Sequence, residues 1–214
     1  MYRYFAIHKP YGMLSQFIGG HKGLRMLGDL DFDFPEGIHA IGRLDYNSEG
    51  LLLLTTNPAI TKLLFSSAAP HPRKYLVNVY KAVSDETLER LRSGVSIRIK
   101  GGVDYITTTC LVERVQRPDW LPRNVHEMRA DIAQDWLEIT LTEGKYRQVR
   151  KMLQNVLHPC HRLIRLSIDE LELGDLAVES VRELSEDLFF RSLKLRPGLL
   201  PDHSDSLPED GIVF

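Results

Sequence analysis

The sequence predicts an α+β fold, and three observations carry that prediction. Short runs with β-type alternation outnumber the helical ones. These runs do not alternate steadily with helices, as a doubly wound parallel sheet would require. The clearest helical periodicity stands alone: Val149, Met152, Leu153, Val156 and Leu157 fall at i, i+3, i+4, i+7 and i+8.

Composition bounds the class. A chain of 214 residues with 43% hydrophobic and 26% charged residues is long enough for one large domain or two small ones, with a sizeable core. No apolar run approaches membrane-spanning length, and Met1 to Pro10 lacks the apolar core and cleavage site of a signal peptide. A cytoplasmic monomer without membrane association is expected. The two cysteines, Cys110 and Cys160, are expected to be reduced thiols.

Taken in order, residues 2–8 read as a first strand, stopped by Pro10 and Gly12. An extended piece over Leu14 to Phe17 precedes a loop from Ile18 to Gly37, with one helical turn around Leu24 to Leu27. Gly37 to Ile41 runs into a charged loop, then Leu51 to Leu54. Four leucines bounded by Gly50 and Asn57-Pro58 read as a buried strand. Asn57 as cap and Pro58 as first helical residue predict a helix to about Phe65.

Arg73 to Tyr80 alternates as a strand, and Ser84 opens a helix with Asp85 and Glu86 in its first turn and Gly94 as its stop. Val95–Lys100 and Val103–Val115 read as strands joined at Gly101-Gly102. Gln116 to Asp135, with two prolines, reads as an excursion. Trp136 to Thr142 alternates, and the periodic helix follows, with Arg147, Lys151 and Gln154 outward and Arg150 at the border. His158-Pro159 ends it. Strands at Arg162–Ile168 and Leu171–Leu173 and a helix from Ser185 to about Leu193 complete one domain, residues 1–196. Residues 197–214 are expected to be an acidic, weakly ordered tail.

Charge is informative in its distribution rather than its total of −2. Between Glu143 and Arg165 there are six basic residues and one acid, whereas eleven acids and four bases follow from Glu170. A phosphate-binding face is one reading of the basic segment, and a solvated helix face is the other.

Asp45 is the residue that asks for an explanation, because a charge at the edge of a buried strand is costly unless it is used or paired. An acid/base pair with Glu49 would suit a glycosidase. His158-Pro159-Cys160-His161 lacks the second ligand pair a structural zinc needs, and there is no Gly-rich phosphate loop, so no metal or nucleotide cofactor is expected. A lone aspartate with Arg43 beside it, an aromatic in a basic strand (Lys74-Tyr75) and a basic helix (Arg147, Arg150, Lys151) suit a nucleic-acid enzyme whose acid works on a nucleoside. A non-catalytic RNA-binding or ribosome-assembly factor would also explain the bases.

Gly42-Arg-Leu-Asp-Tyr-Asn-Ser-Glu-Gly-Leu-Leu-Leu-Leu-Thr-Thr56 closely resembles the catalytic signature of the RsuA-type pseudouridine synthases. The resemblance continues through Lys9-Pro10-Tyr11-Gly12, Arg73-Lys74-Tyr75, Glu143 to Leu153, and Leu163-x-Arg165 with Leu171-x-Leu173-Gly174. These motifs, in the family's order, cover about Tyr4 to Leu193. The resemblance implies a mixed, mainly antiparallel sheet with flanking helices around a central RNA cleft, and residues 1–196 as the catalytic domain. It implies isomerisation of uridine to pseudouridine in ribosomal RNA without metal or cofactor.

Asp45 would then attack C1′ or take a proton from C2′, Tyr75 would stack on the flipped uracil, and Arg150 would pair with Asp45. Arg43, Lys74 and Arg147 would hold RNA. The start at the first catalytic strand resembles the RluE-like branch acting on the large subunit, in which no separate RNA-binding module is expected before the catalytic domain. One departure is Arg147, where the family usually has His.

Overall fold

A computed structural model describes residues 1–19, 23–65, 70–124 and 126–195. The expected acidic tail lies outside the described residues. In chain order the strands begin with β1 (Tyr4–Lys9), β2 (Met13–Leu14), β3 (Arg25–Met26), β4 (His39–Ile41) and β5 (Glu49–Thr55). After helix α1 (Ile60–Phe65) come β6 (Arg73–Tyr80), helix α2 (Asp85–Ser93), β7 (Ser96–Arg98), β8 (Asp104–Ile106), β9 (Leu111–Val115) and β10 (Gln134–Leu141). Helix α3 (Gln148–Asn155), β11 (Cys160–Ile168), β12 (Leu171–Glu172), β13 (Val181–Leu184) and helix α4 (Glu186–Ser192) follow. The fold is mixed, with a mainly antiparallel sheet. Packing divides the chain into two compact units: Met1–His71 with the segment from Arg165 onward, and Pro72–Ile164.

In the first unit β5 is the leucine strand. It pairs antiparallel with β1, from Tyr4↔Thr55 to Lys9↔Gly50, and with β4, from His39↔Thr55 to Ile41↔Leu53. Every residue of β5 is buried, which is why it shows no polar alternation: both of its faces are covered. Leu52 and Leu54 enter a cluster with Phe5, Ile7, Met13, Leu27 and Leu44. On its other edge β1 pairs with β13, a strand the sequence does not announce because Val-Arg-Glu-Leu carries no alternation. Ser185 caps α4, accepting from Leu188 N at 3.2 Å, and α4 packs Phe189 against Tyr4 with ring centroids 4.5 Å apart. Asn57 Oδ1 accepts from Ala59 N at 3.1 Å, so the cap is real, but the regular helix starts at Ile60 rather than Pro58.

In the second unit β10 is central, pairing with β6 from Gln134↔Tyr80 to Leu141↔Arg73 and with β9 from Trp136↔Val115 to Thr140↔Leu111. Leu137, Ile139 and Leu141 share a core with Leu88 and Leu91 of α2 and Val149, Met152 and Leu153 of α3. Ser84 caps α2, accepting from Thr87 N at 3.2 Å, and Gly94 ends it at φ +98°.

Three expectations need correction here. The run 103–115 is two strands, because the buried Thr107 binds Val95 through both its backbone N–H and its hydroxyl and turns the chain away. β8 therefore pairs with β7, while β9 goes to β10. Arg147 is not on the helix: it precedes α3 in the left-handed region, at φ +53°. Leu157, at the end of the periodic set, lies past the helix at φ +64° and is 73% exposed.

Candidate active site

Asp45 follows Leu44, and Leu44 is what holds the loop. Its side chain is buried in the cluster with Leu52 and Leu54. The buried hydroxyl of Ser15 accepts from Leu44 N at 3.0 Å and donates to Leu44 O at 2.7 Å, so one side chain satisfies both backbone groups of the residue before Asp45. Ser48 N then donates to Asp45 O at 3.0 Å, closing a turn, and Gly12 N donates to Tyr46 O at 2.9 Å. Gly42 enters the loop at φ +70°, where a Cβ would lie 2.8 Å from Phe65 Cζ. Asp45 is half-buried and Arg43 is exposed.

Beneath the turn lies a lysine with no solvent exposure. Lys9 Nζ donates to Ser48 O at 2.7 Å and to Pro10 O at 2.9 Å. Burial pushes its ammonium down to about 7, against the pull of the Glu49 and Asp45 carboxylates and with Arg165 adding to the lowering. Glu49 is buried in β5, and Arg165 Nε donates to Leu51 O at 2.8 Å. Asp45 thus belongs to a group of four charged side chains, two of each sign, in which the attraction of the two carboxylates for Lys9 offsets only part of its desolvation. The glycosidase reading of Glu49 loses its basis, since that carboxylate is 2% exposed and acts on Lys9. Lys9 and Arg165 were visible as members of motifs, but no local signal gave them a role.

The second unit carries the remaining sequence candidates. Lys74 and Tyr75 are neighbours on β6, both half-buried; Lys74 Nζ lies 3.6 Å from Glu138 Oε2 and Tyr75 packs against the core. Arg150 is buried in α3, not at its border, and its Nη1 donates to Cys160 O at 3.3 Å.

Glu143 is more than a strand breaker. Its carboxylate accepts from Tyr105 Oη at 2.5 Å, Gln148 Nε2 at 2.7 Å and Thr108 N at 2.9 Å. Burial works to raise its pKa, and these three donors together with Lys145 outweigh that and lower it. Gln148 Oε1 in turn accepts from Lys145 N at 2.8 Å, so the segment that enters α3 is tied down side chain by side chain.

Among the described residues no cluster of three His, Cys, Asp or Glu side chains could hold a metal. No helix among them is long and apolar enough to cross a membrane.

The segment that carries Asp45 and its braced loop lies within the match to one family of proteins. The RNA pseudouridylate synthase family model matches residues 3–155. The chain is 36% identical over 178 residues to the ribosomal large subunit pseudouridine synthase E of Vibrio parahaemolyticus, covering 83% of this chain and 71% of that protein. It is 37% identical over 174 residues to the protein of the same name from Xanthomonas axonopodis pv. citri, covering 80% and 88%. A solved pseudouridylate synthase shares the fold with a TM-score of 0.70 at 22% identity, covering 90% of this chain and 74% of that one. The chain belongs to the RNA pseudouridine synthase family and is an isomerase of that class. Within the family it is an RsuA-type enzyme, similar to the large-subunit pseudouridine synthases E.

Proposed function

We propose that this chain isomerises one uridine of large-subunit ribosomal RNA to pseudouridine, as a cytoplasmic monomer needing no cofactor. The observation that supports this most is Asp45, set in the family's signature and braced by Leu44, Ser15 and Lys9. In the reaction the N1–C1′ bond breaks, the uracil turns, C1′ joins C5, and the C5 proton leaves to solvent while N1 takes one up. Asp45 is the group that acts on the sugar.

Tyr75 would stack on the extruded uracil and Arg150 would keep the reacting carboxylate ionised. Arg43, Lys74 and Arg147 would bind the RNA backbone. Residues 1–196 form the catalytic domain in this reading.

The test uses ribosomal RNA carrying tritium at uridine C5, from cells lacking the enzyme. Wild type should release tritium from the large-subunit RNA and Asp45→Asn should not. Failure of the wild type on every ribosomal RNA ends the proposal. Mapping pseudouridines with and without the gene then identifies the position.

A further inference from the structure

The excursion 116–133 joins β9 to β10, two strands that pair directly beside it, with Trp136 opposite Val115. Neighbouring antiparallel strands usually need about two to five residues for this, and a much longer connection without secondary structure is usually functional or disordered. This one is held in place. Glu127 accepts from Arg117 Nε at 2.5 Å and from Asn124 N at 3.2 Å, and lies 3.6 Å from the buried Arg162. Arg117 also donates to Leu121 O at 2.8 Å, and Arg162 to Pro122 O at 3.0 Å. Leu121 and Met128 are buried anchors.

A further bond ties the excursion to β6 and β11. His161 Nε2 bonds the carbonyl of His126, which can only accept, so the ring proton sits on Nε2. Its Nδ1 lies within hydrogen-bond distance of the Tyr80 hydroxyl, at 3.2 Å.

What this scaffold holds outward is Trp120, 54% exposed. Its sequence neighbours are Pro118, Asp119, Pro122 and Arg123 apart from the buried Leu121, so no second large exposed apolar side chain adjoins it in sequence as it would in a run built for a protein partner. Two of the loop's arginines are tied to carboxylates, Arg117 to Glu127 and Arg129 to Asp131. Arg123 is exposed and makes no ion pair among the described residues. Asp119, exposed beside Trp120, offsets part of that charge, so stacking rather than phosphate attraction must carry any contact here.

We propose that Trp120 is a stacking platform for an unpaired nucleotide of the RNA substrate, with Arg123 beside it for the adjoining backbone. The platform would help select the substrate from within the second unit, apart from the chemistry at Asp45. This rests on the chain acting on ribosomal RNA.

The two tryptophans make the test direct, because Trp136 is 6% exposed and base stacking can quench only Trp120. An unmodified large-subunit ribosomal RNA transcript should quench the emission of the wild type, and Trp120→Phe should show no quenching yet bind nearly as well. Trp120→Ala should weaken binding and raise KM about tenfold with kcat unchanged at saturating RNA. Arg123→Ala should raise KM by a smaller factor. Emission unmoved by RNA, with Trp120→Ala as tight as wild type, overturns the platform; quenching by ribosomal proteins and not by RNA overturns it in favour of a protein contact. Tritium release by wild type without quenching sinks this inference alone. Quenching without tritium release sinks the proposed activity and leaves the platform standing.

Discussion

Lys9 Nζ donates to the carbonyl of Ser48 at 2.7 Å, and Ser48 closes the turn that begins at Asp45. A buried lysine therefore holds the far end of the loop that carries the Asp45 carboxylate, while Ser15 holds the near end through Leu44. The two ends are braced by different groups, one by a buried titratable amine and one by a neutral hydroxyl. Variants at the two positions should fail in different ways.

Lys9 makes stability depend on pH. Its folded value of about 7 lies below the ordinary 10.5. Below pH 7 it is charged folded and unfolded, and the cost of burying the charge is fully present. Between 7 and 10.5 the folded protein has shed a proton that the unfolded chain keeps, so stability rises with pH. From pH 7 to pH 9 wild type should gain up to about 2–3 kcal/mol relative to Lys9→Met in urea unfolding. Parallel curves for the two proteins would mean that Lys9 titrates normally.

Ser15→Ala leaves the N–H and C=O of Leu44 without their shared partner inside the protein. The expected cost is about 1–2 kcal/mol, measured by chemical denaturation. Because Leu44 sets the position of Asp45, kcat should fall more than RNA affinity does. A variant with wild-type kcat would show that the loop needs no such brace.

Gly42→Ala combines two penalties: the left-handed backbone at φ +70° and a Cβ driven against the Phe65 ring. The positive φ alone costs about 1 kcal/mol. The ring contact should bring the total to roughly 2 kcal/mol unless Phe65 can swing aside. Gly37→Ala is the control: it has a similar φ of +77° with nothing within 4 Å of its Cβ. It should cost only the backbone share and leave activity intact.

Glu143→Gln replaces a charged acceptor by an amide that must present its NH2 to one of three donors. A loss of about 2 kcal/mol is expected at pH 7. Since the folded carboxyl lies below its usual range, its contribution is present above about pH 4.5 and is lost as pH falls further. The variant should show a flatter acid limb in a stability–pH profile. Equal acid sensitivity in both proteins would place the loss elsewhere.

Local chemistry makes several elements legible in the sequence. Ser84 and Ser185 can be read as caps because capping involves residues three apart, and Gly94 as a stop because a left-handed residue ends a helix. The leucine run announces β5 because a strand covered on both faces loses its alternation. The Asp45 signature is legible because it too is a contiguous string. Periodicity misleads where a pattern outruns its element: Leu157 continues the apolar spacing of α3 beyond the point where the chain has turned left-handed.

By itself, then, the sequence determined the fold class, the caps, the buried strand and the signature that makes Asp45 the candidate for catalysis, all of which depend on neighbours within a few residues. Only the tertiary structure decided which strands pair, so that β9 joins β10 and β13 closes onto β1. It alone decided that Lys9 and Arg165 share the interior of the first unit with Glu49, that Arg150 is buried, and that Glu143 binds three donors. The reason is the same in each case. Whether a charged side chain is solvated or paired depends on residues brought in from far along the chain, and no local pattern encodes that distance.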